Sequence, residues 1–168
     1  MRILHAGCGG ERLPDYFQKD AVEVRLDVTP EMKPDIVASI TDMGEIGEFD
    51  ALYCSHTVEH LYPHEVPKAL AEFYRVLKPG GAAIIVVPDL EGLEVSDRVL
   101  YVTEAGLEVT AFDLFYGHRR LIENAPYMAH HSGFTQRLMS DSLKEAGFEP
   151  DVKRVDGWQL VAAARKPT

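Results

Sequence analysis

Apolar residues fall in short, mostly continuous runs near 2–6, 21–26, 35–38, 49–54 and 82–87. Continuous apolar runs of this length read as parallel strands covered on both faces. Two later runs, near 151–155 and 158–164, are joined at Asp156-Gly157 and read as an antiparallel hairpin. Between strands the period changes. Val66, Ala69, Leu70, Phe73, Val76 and Leu77 recur at helical spacing and predict a helix over 64–77, stopped by Lys78-Pro79-Gly80-Gly81. A second helix is expected over 135–146, with Thr135 as N-cap and Gly147 as the stop. A short helix near 11–19 is also expected, with Pro14 limiting where it starts. The 27–35 connection, holding Pro30 and Pro34, leaves little room for a full helix. Alternating strands and helices imply a parallel sheet with right-handed crossovers.

The stretch 91–131 is the longest without a strand, and helical pieces are expected near 95–105 and 108–116. It carries Tyr101, Phe112, Phe115, Tyr116 and Tyr127. Because it leaves the carboxyl end of the fifth strand, where open α/β sheets bind ligands, it is expected to cover the crevice. Residues 1–168 then form one domain, with 91–131 as a lid-like insertion.

Composition narrows the partners. Lys and Arg total 17 against 27 Asp and Glu, a net charge of −10, which opposes a phosphate backbone and argues against nucleic acid. The densest basic spots, His118-Arg119-Arg120 and Lys153-Arg154, are small. No run approaches the roughly 20 apolar residues of a membrane span. With two cysteines, Cys8 and Cys54, and no signal-like opening, a cytoplasmic protein with reduced thiols is expected.

The first strand, Arg2 to Ala6, runs straight into Gly7-Cys8-Gly9-Gly10, and Asp27 follows Gly7 by 20 residues at the end of the second strand. Glycines there let a ligand approach the backbone, and a strand-end carboxylate can accept both hydroxyls of a ribose. That pairing points to a nucleoside cofactor; its plain alternative is a tight turn and a turn-forming Asp. A nicotinamide dinucleotide is disfavoured, because Arg12 stands where G-x-G-x-x-G needs its last glycine.

Three blocks then follow in order: Phe49 through Ser55-His56-Thr57-Val58-Glu59-His60-Leu61, Ala69 through Arg75-Val76-Leu77-Lys78-Pro79-Gly80-Gly81, and Ala82 through Asp89-Leu90. With the opening Leu4-His5-Ala6-Gly7-Cys8-Gly9, they resemble the class I S-adenosylmethionine-dependent methyltransferases of a small bacterial, type 11-like kind whose first motif reads L-H-x-G-C-G. The likeness runs almost continuously over 2–90. It resumes at Tyr116-Gly117 and at His130-His131-Ser132-Gly133-Phe134-Thr135. It implies a Rossmann-like, doubly wound, mostly parallel α/β sheet ending in an antiparallel hairpin: the seven-stranded methyltransferase fold with reduced helices. In that fold the first and fourth strands are neighbours, which would bring Cys8 and Cys54 together. The sequence starts on the first strand, so the helical lid that usually precedes it is expected to be missing.

The resemblance also implies roles. His5, Ala6, Gly7, Cys8 and Gly9 would form the loop beneath the methionine part of S-adenosylmethionine; His5 fits the subgroup, whereas Glu11 departs from the wider G-x-G-x-G pattern. Asp27 and Val28 would meet the ribose. Ile40 and Met43 would wall the adenine, whose amino group would be met by Ser39 or by Asp42. Ser55 and His56 would pass the methionine and sulfonium end. His60 and His130 are the catalytic candidates, since a hydroxyl acceptor must lose a proton as it attacks and histidine titrates near working pH. His130 could equally be a cap or a surface residue, and Tyr116 either faces the acceptor or packs in the core.

His56-Thr57-Val58-Glu59-His60 also spells H-x-x-E-H, a zinc-hydrolase signature. The motif starts at a strand end, and Pro63 and Pro67 break the helix it would need. The expectation is therefore no metal. What remains is methyl transfer to an oxygen or nitrogen of a small-molecule or sugar-like acceptor. The rival is an S-adenosylmethionine-binding partner subunit without chemistry of its own. Sequence is silent on oligomeric state.

Overall fold

The structure, a computed structural model, describes residues 1–17, 21–103 and 106–168. Its main sheet has seven strands in the order β3-β2-β1-β4-β5-β9-β8. β1 (Arg2–Ala6), β2 (Val22–Asp27), β3 (Ile36–Val37), β4 (Phe49–Ser55) and β5 (Leu77–Pro88) run parallel. β8 (Glu149–Val155) and β9 (Gln159–Arg165) form the antiparallel hairpin on β5. The three-residue loop between Val155 and Gln159 places Asp156 and Gly157 at positive φ, 54° and 75°, and the Trp158 N–H closes the turn on the Val155 carbonyl at 3.3 Å.

The core lies on one face. There α1 (Val66–Val76) and α4 (Gln136–Glu145) set Leu70, Phe73, Met139 and Leu143 against Leu4, Leu26, Leu52, Ile85 and Leu160. Thr135 caps α4 as expected, its hydroxyl accepting the Leu138 N–H at 3.2 Å. The opposite face is held by polar groups. His5 Nδ1 meets Glu23 at 2.9 Å, and Arg25 donates to the Gly9 carbonyl at 2.6 Å. Ring contacts add to them: His5 lies tilted against Tyr53, and Phe17 meets Tyr53 edge-on.

Three expectations are corrected. The helix expected near 11–19 is absent from 11–17, which form irregular chain and a turn; the rest of that span lies outside the described residues. Lys78-Pro79-Gly80-Gly81 is not a stop after the helix but part of β5, because Leu77 is already extended. The extra residues make a bulge between the Phe49–Leu77 and Ala51–Ala82 pairs. Gly81 is required there, since a Cβ would sit 3.0 Å from the Asp50 carbonyl oxygen. Finally, the stretch expected to be helical near 95–105 holds β6 (Val99–Val102), paired antiparallel with β7 (Glu108–Thr110). Valines and a tyrosine favour the pleat once a partner strand exists. The second helical piece forms as α2 (Ala111–Tyr116), started by a reciprocal cap between Thr110 and Asp113. α3 (Arg119–Ile122) follows.

The insertion leaves and rejoins the sheet at one point. Asp89 and Phe134 form a parallel bridge, and Leu90 N–H donates to the Phe134 carbonyl at 3.0 Å. Among the described residues, no helix is long and apolar enough to cross a membrane.

Candidate active site

At the carboxyl ends of β1, β2 and β4 lies a cavity of about 730 Å³. Its floor is the turn after β1. Gly7 and Cys8 both donate to the Leu26 carbonyl, at 2.8 and 3.1 Å, and Gly7 takes φ +67°. Thr57 stands directly over Gly7, donating its hydroxyl to the Gly7 or Ser55 carbonyl at 3.2 and 3.1 Å. A Cβ on Gly7 would lie 2.8 Å from that of Thr57, so the turn admits glycine only.

Asp27 ends β2 on the cavity wall, nearly buried. Its Oδ2 accepts the Gly9 N–H and its Oδ1 the Thr29 N–H, both at 2.8 Å. The carboxylate thus clamps the glycine turn to the next loop. Each oxygen keeps a lone pair, enough to accept a ribose diol as well. Val28, Thr29, Met32, Ala38, Ser39 and Ile40 continue the wall on this side. The Ser39 hydroxyl is engaged locally with Thr41 Oγ1 at 2.8 Å.

Not every expected residue reaches the cavity. His5, Gly7, Cys8, Gly9, Asp27, Val28, Ser39, Ile40, Ser55, His56 and His60 line it. Ala6 does not: it shares the core-facing side of β1 with Leu4 and is wholly buried. Met43 turns into the core with its N–H on Glu72 at 2.7 Å, and Asp42 faces solvent, so of the two adenine candidates only Ser39 lies on the wall. Tyr116 is exposed and also off the wall. Of the insertion's aromatic residues named above, Tyr127 lines the cavity. Tyr53, Thr57 and Met128 line it without having been singled out, and Met128 could have been found only by knowing where the insertion folds back.

On the β4 side the chain turns sharply. His56 takes φ +50°, and a short 3-10 turn over Val58–His60 follows. Glu59 is buried. Its Oε1 meets His56 Nδ1 at 3.2 Å, and its backbone carbonyl accepts the N–H groups of His131 and Ser132 at 2.9 and 3.0 Å. Burial pushes the Glu59 carboxyl up, but the His56 hydrogen bond and the nearby His60 and His130 rings outweigh it and hold the pKa below the usual value. His56 itself is pulled down by burial, and its Glu59 contacts more than reverse that. Burial lowers the His130 pKa. His130 stays off the cavity wall and stands behind His60, ring centroids 5.0 Å apart. The groups that converge are therefore Glu59, His60 and His130, not the H-x-x-E-H triple. Cys8 and Cys54 are free and buried.

A family model described as a methyltransferase domain matches residues 4–85. No curated protein matches the chain. Among solved structures, the chain is similar to the 1,6-didemethyltoxoflavin-N1-methyltransferase of Burkholderia thailandensis, solved with 1,6-didemethyltoxoflavin and S-adenosylhomocysteine. The TM-score is 0.66 at 20% identity, covering 99% of this chain and 71% of that one. A similar likeness holds to an S-adenosylmethionine-dependent methyltransferase of Clostridium acetobutylicum, TM-score 0.69 at 11% identity over 99% and 84% of the two chains. One from Methanosarcina mazei gives 0.66 at 17% identity over 99% and 92%. The matched methyltransferase domain, the strand order and a ligand-sized cavity over a glycine turn agree with one another: the chain carries the seven-stranded fold of the class I S-adenosylmethionine-dependent methyltransferases.

Proposed function

We propose that this enzyme transfers a methyl group from S-adenosylmethionine to a hydroxyl oxygen, or a nitrogen, of a small-molecule or sugar-like acceptor held beneath the 91–131 insertion. The cavity suits the donor: a carboxylate with spare lone pairs, apolar Met32, Ala38 and Ile40 beyond it, and backbone exposed at Gly9 and Gly10. Asp27 would hold the ribose and the glycine turn the methionine part, with adenine between Ile40 and Ser39. When bound, the donor supplies a methyl on a sulfonium that leaves as a neutral thioether.

The observation that carries the acceptor side is the closure of the cavity by His60, Tyr127 and Met128. β2 and β4 flank β1 on opposite sides, so these residues sit across the glycine turn from Asp27. An acceptor placed there attacks the methyl carbon in line; the new bond forms as the carbon–sulfur pair departs to sulfur. Holding the two reactants in that alignment supplies much of the acceleration. A hydroxyl must also lose its proton, and the Glu59, His60 and His130 cluster is where that falls. The small-molecule acceptor of the Burkholderia neighbour supports an acceptor of that size. The chain's surplus of acidic residues argues against a nucleic acid, and we place the protein in the cytoplasm.

The test is turnover by the chain alone, read as S-adenosylhomocysteine formation over a panel of small alcohols, sugars and amines. Acceptor-dependent product is expected. Cofactor binding without turnover, restored by a second protein, would favour the non-catalytic subunit instead.

A further inference from the structure

Behind the cavity wall, acceptor atoms meet without a donor. Glu59 is 1% exposed, and its Oε2 is buried with no hydrogen-bond partner. His60 Nδ1 lies 3.2 Å from the Ala129 carbonyl oxygen, and His130 Nδ1 lies 2.9 Å from that of Leu114. A carbonyl only accepts, so in both neutral rings Nδ1 carries the proton and Nε2 keeps a bare lone pair. One atom from each of Glu59, His60 and His130 lies within 4.8 Å of the other two. A buried, unpartnered carboxylate oxygen clustered with two imidazoles is costly unless something positive sits among them.

We propose that Glu59, His60 and His130 bind a first-row divalent cation, of which zinc is the best fit. This inference rests on the methyl-transfer reading and gives the cluster its part in it. Two imidazoles and a carboxylate, with a fourth position open, form a catalytic zinc ligand set. Imidazole nitrogens select such ions over magnesium or calcium. The Nδ1–H bonds to carbonyls orient ligand rings in the way metal sites require. Bonds of about 2.0–2.1 Å to a shared ion put tetrahedral ligands roughly 3.4 Å apart, so the side chains need draw in by little more than an ångström. His56 holds the other oxygen of Glu59 and so aims the carboxylate without binding the ion. His60 lies on the cavity wall, so the open position faces the acceptor. A hydroxyl bound there releases its proton to solvent as the ion lowers its pKa. The alkoxide lone pair then forms the O–CH3 bond, and the carbon–sulfur pair leaves on sulfur.

The experiment uses the whole chain stripped with a chelator. Zn²⁺ binding is followed by calorimetry and Co²⁺ binding by its visible absorption, beside His130→Ala and Glu59→Gln. One Zn²⁺ per chain and a tetrahedral Co²⁺ spectrum are expected. Either variant should weaken binding by about 100-fold or more, at or beyond the loss typical of merely supporting groups, with S-adenosylhomocysteine affinity unchanged. No binding by the wild-type chain, or wild-type affinity in His130→Ala, would overturn the site. Full turnover of a hydroxyl acceptor in excess chelator would overturn the cation's role and leave methyl transfer standing. Stoichiometric zinc with no methylation of any acceptor would overturn the methyl-transfer reading and leave the cation site.

Discussion

Asp27→Ala removes a side chain that serves the fold before any ligand arrives. Both carboxylate oxygens bond backbone N–H groups at 2.8 Å, Gly9 and Thr29, in a nearly buried setting. Hydrogen bonds to a charged group contribute roughly 1.5–3 kcal/mol each. The cavity lets water reach part of what is lost, so the lower end applies and the two together come to about 3 kcal/mol. On the proposed ribose role, the lost ribose bonds are a separate loss, about 2 kcal/mol in cofactor affinity, or roughly 30-fold in Kd. Asp27→Asn divides the effects: it keeps one acceptor but turns an NH2 towards a backbone N–H. It should therefore lose at least half the stability and most of the affinity. Urea unfolding of the free protein reads the first quantity, and calorimetry with S-adenosylhomocysteine on folded variants reads the second. An unchanged urea midpoint in Asp27→Ala would refute the clamp. Wild-type affinity in a folded Asp27→Ala would refute the ribose role.

Further outcomes follow from the same site. Gly7→Ala should destabilise by at least about 2 kcal/mol, from its positive φ and the overlap with Thr57; adding Thr57→Gly should recover part of that in thermal melts. Burial lowers the His5 pKa despite the Glu23 contact, so the folded state resists a proton that the unfolded chain accepts near pH 6.5. Its contribution is complete above that pH and declines below it by at most ~1.4 kcal/mol per unit. Urea midpoints at pH 7.5 and 5.5 should differ less in His5→Asn than in the wild type, and equal differences would refute this. Burial, with the Glu59 charge, pushes the Cys54 thiol up, so Cys54 should resist an aromatic disulfide reagent until the chain is unfolded.

The sheet was legible because its parallel strands are mostly apolar runs bounded by turn residues, a pattern that shows without knowledge of any partner. The helix over Val66–Val76 was legible from its stripe. Pairing was not. Val99–Val102 became strand only because Glu108–Thr110 lies beside it, and Leu77 extended because Phe49 of β4 pairs with it. At the site, residues fixed by backbone shape, Gly7, Gly9 and Asp27, could be read from spacing. Those fixed by which way a loop turns could not: Met43 went inward, Asp42 outward, and Ala6 took the core side of its strand. In the sequence Glu59 stands in an H-x-x-E-H motif with His56 and His60. Its further neighbour, His130, lies 71 residues on and is brought near by two backbone bonds to the Glu59 carbonyl.

The Asp89–Phe134 bridge gives the insertion a common entrance and exit. A loop whose ends are already fastened can change length cheaply, since each doubling adds only about 0.6 kcal/mol of closure entropy. The sheet, the glycine turn and the Asp27 clamp lie outside those ends and feel little of such change. On the proposed reading, the chain can therefore trade one acceptor-facing cassette for another while its donor-facing half is inherited intact. New specificity would come by exchanging a module at a fixed seam, with no redesign of the fold.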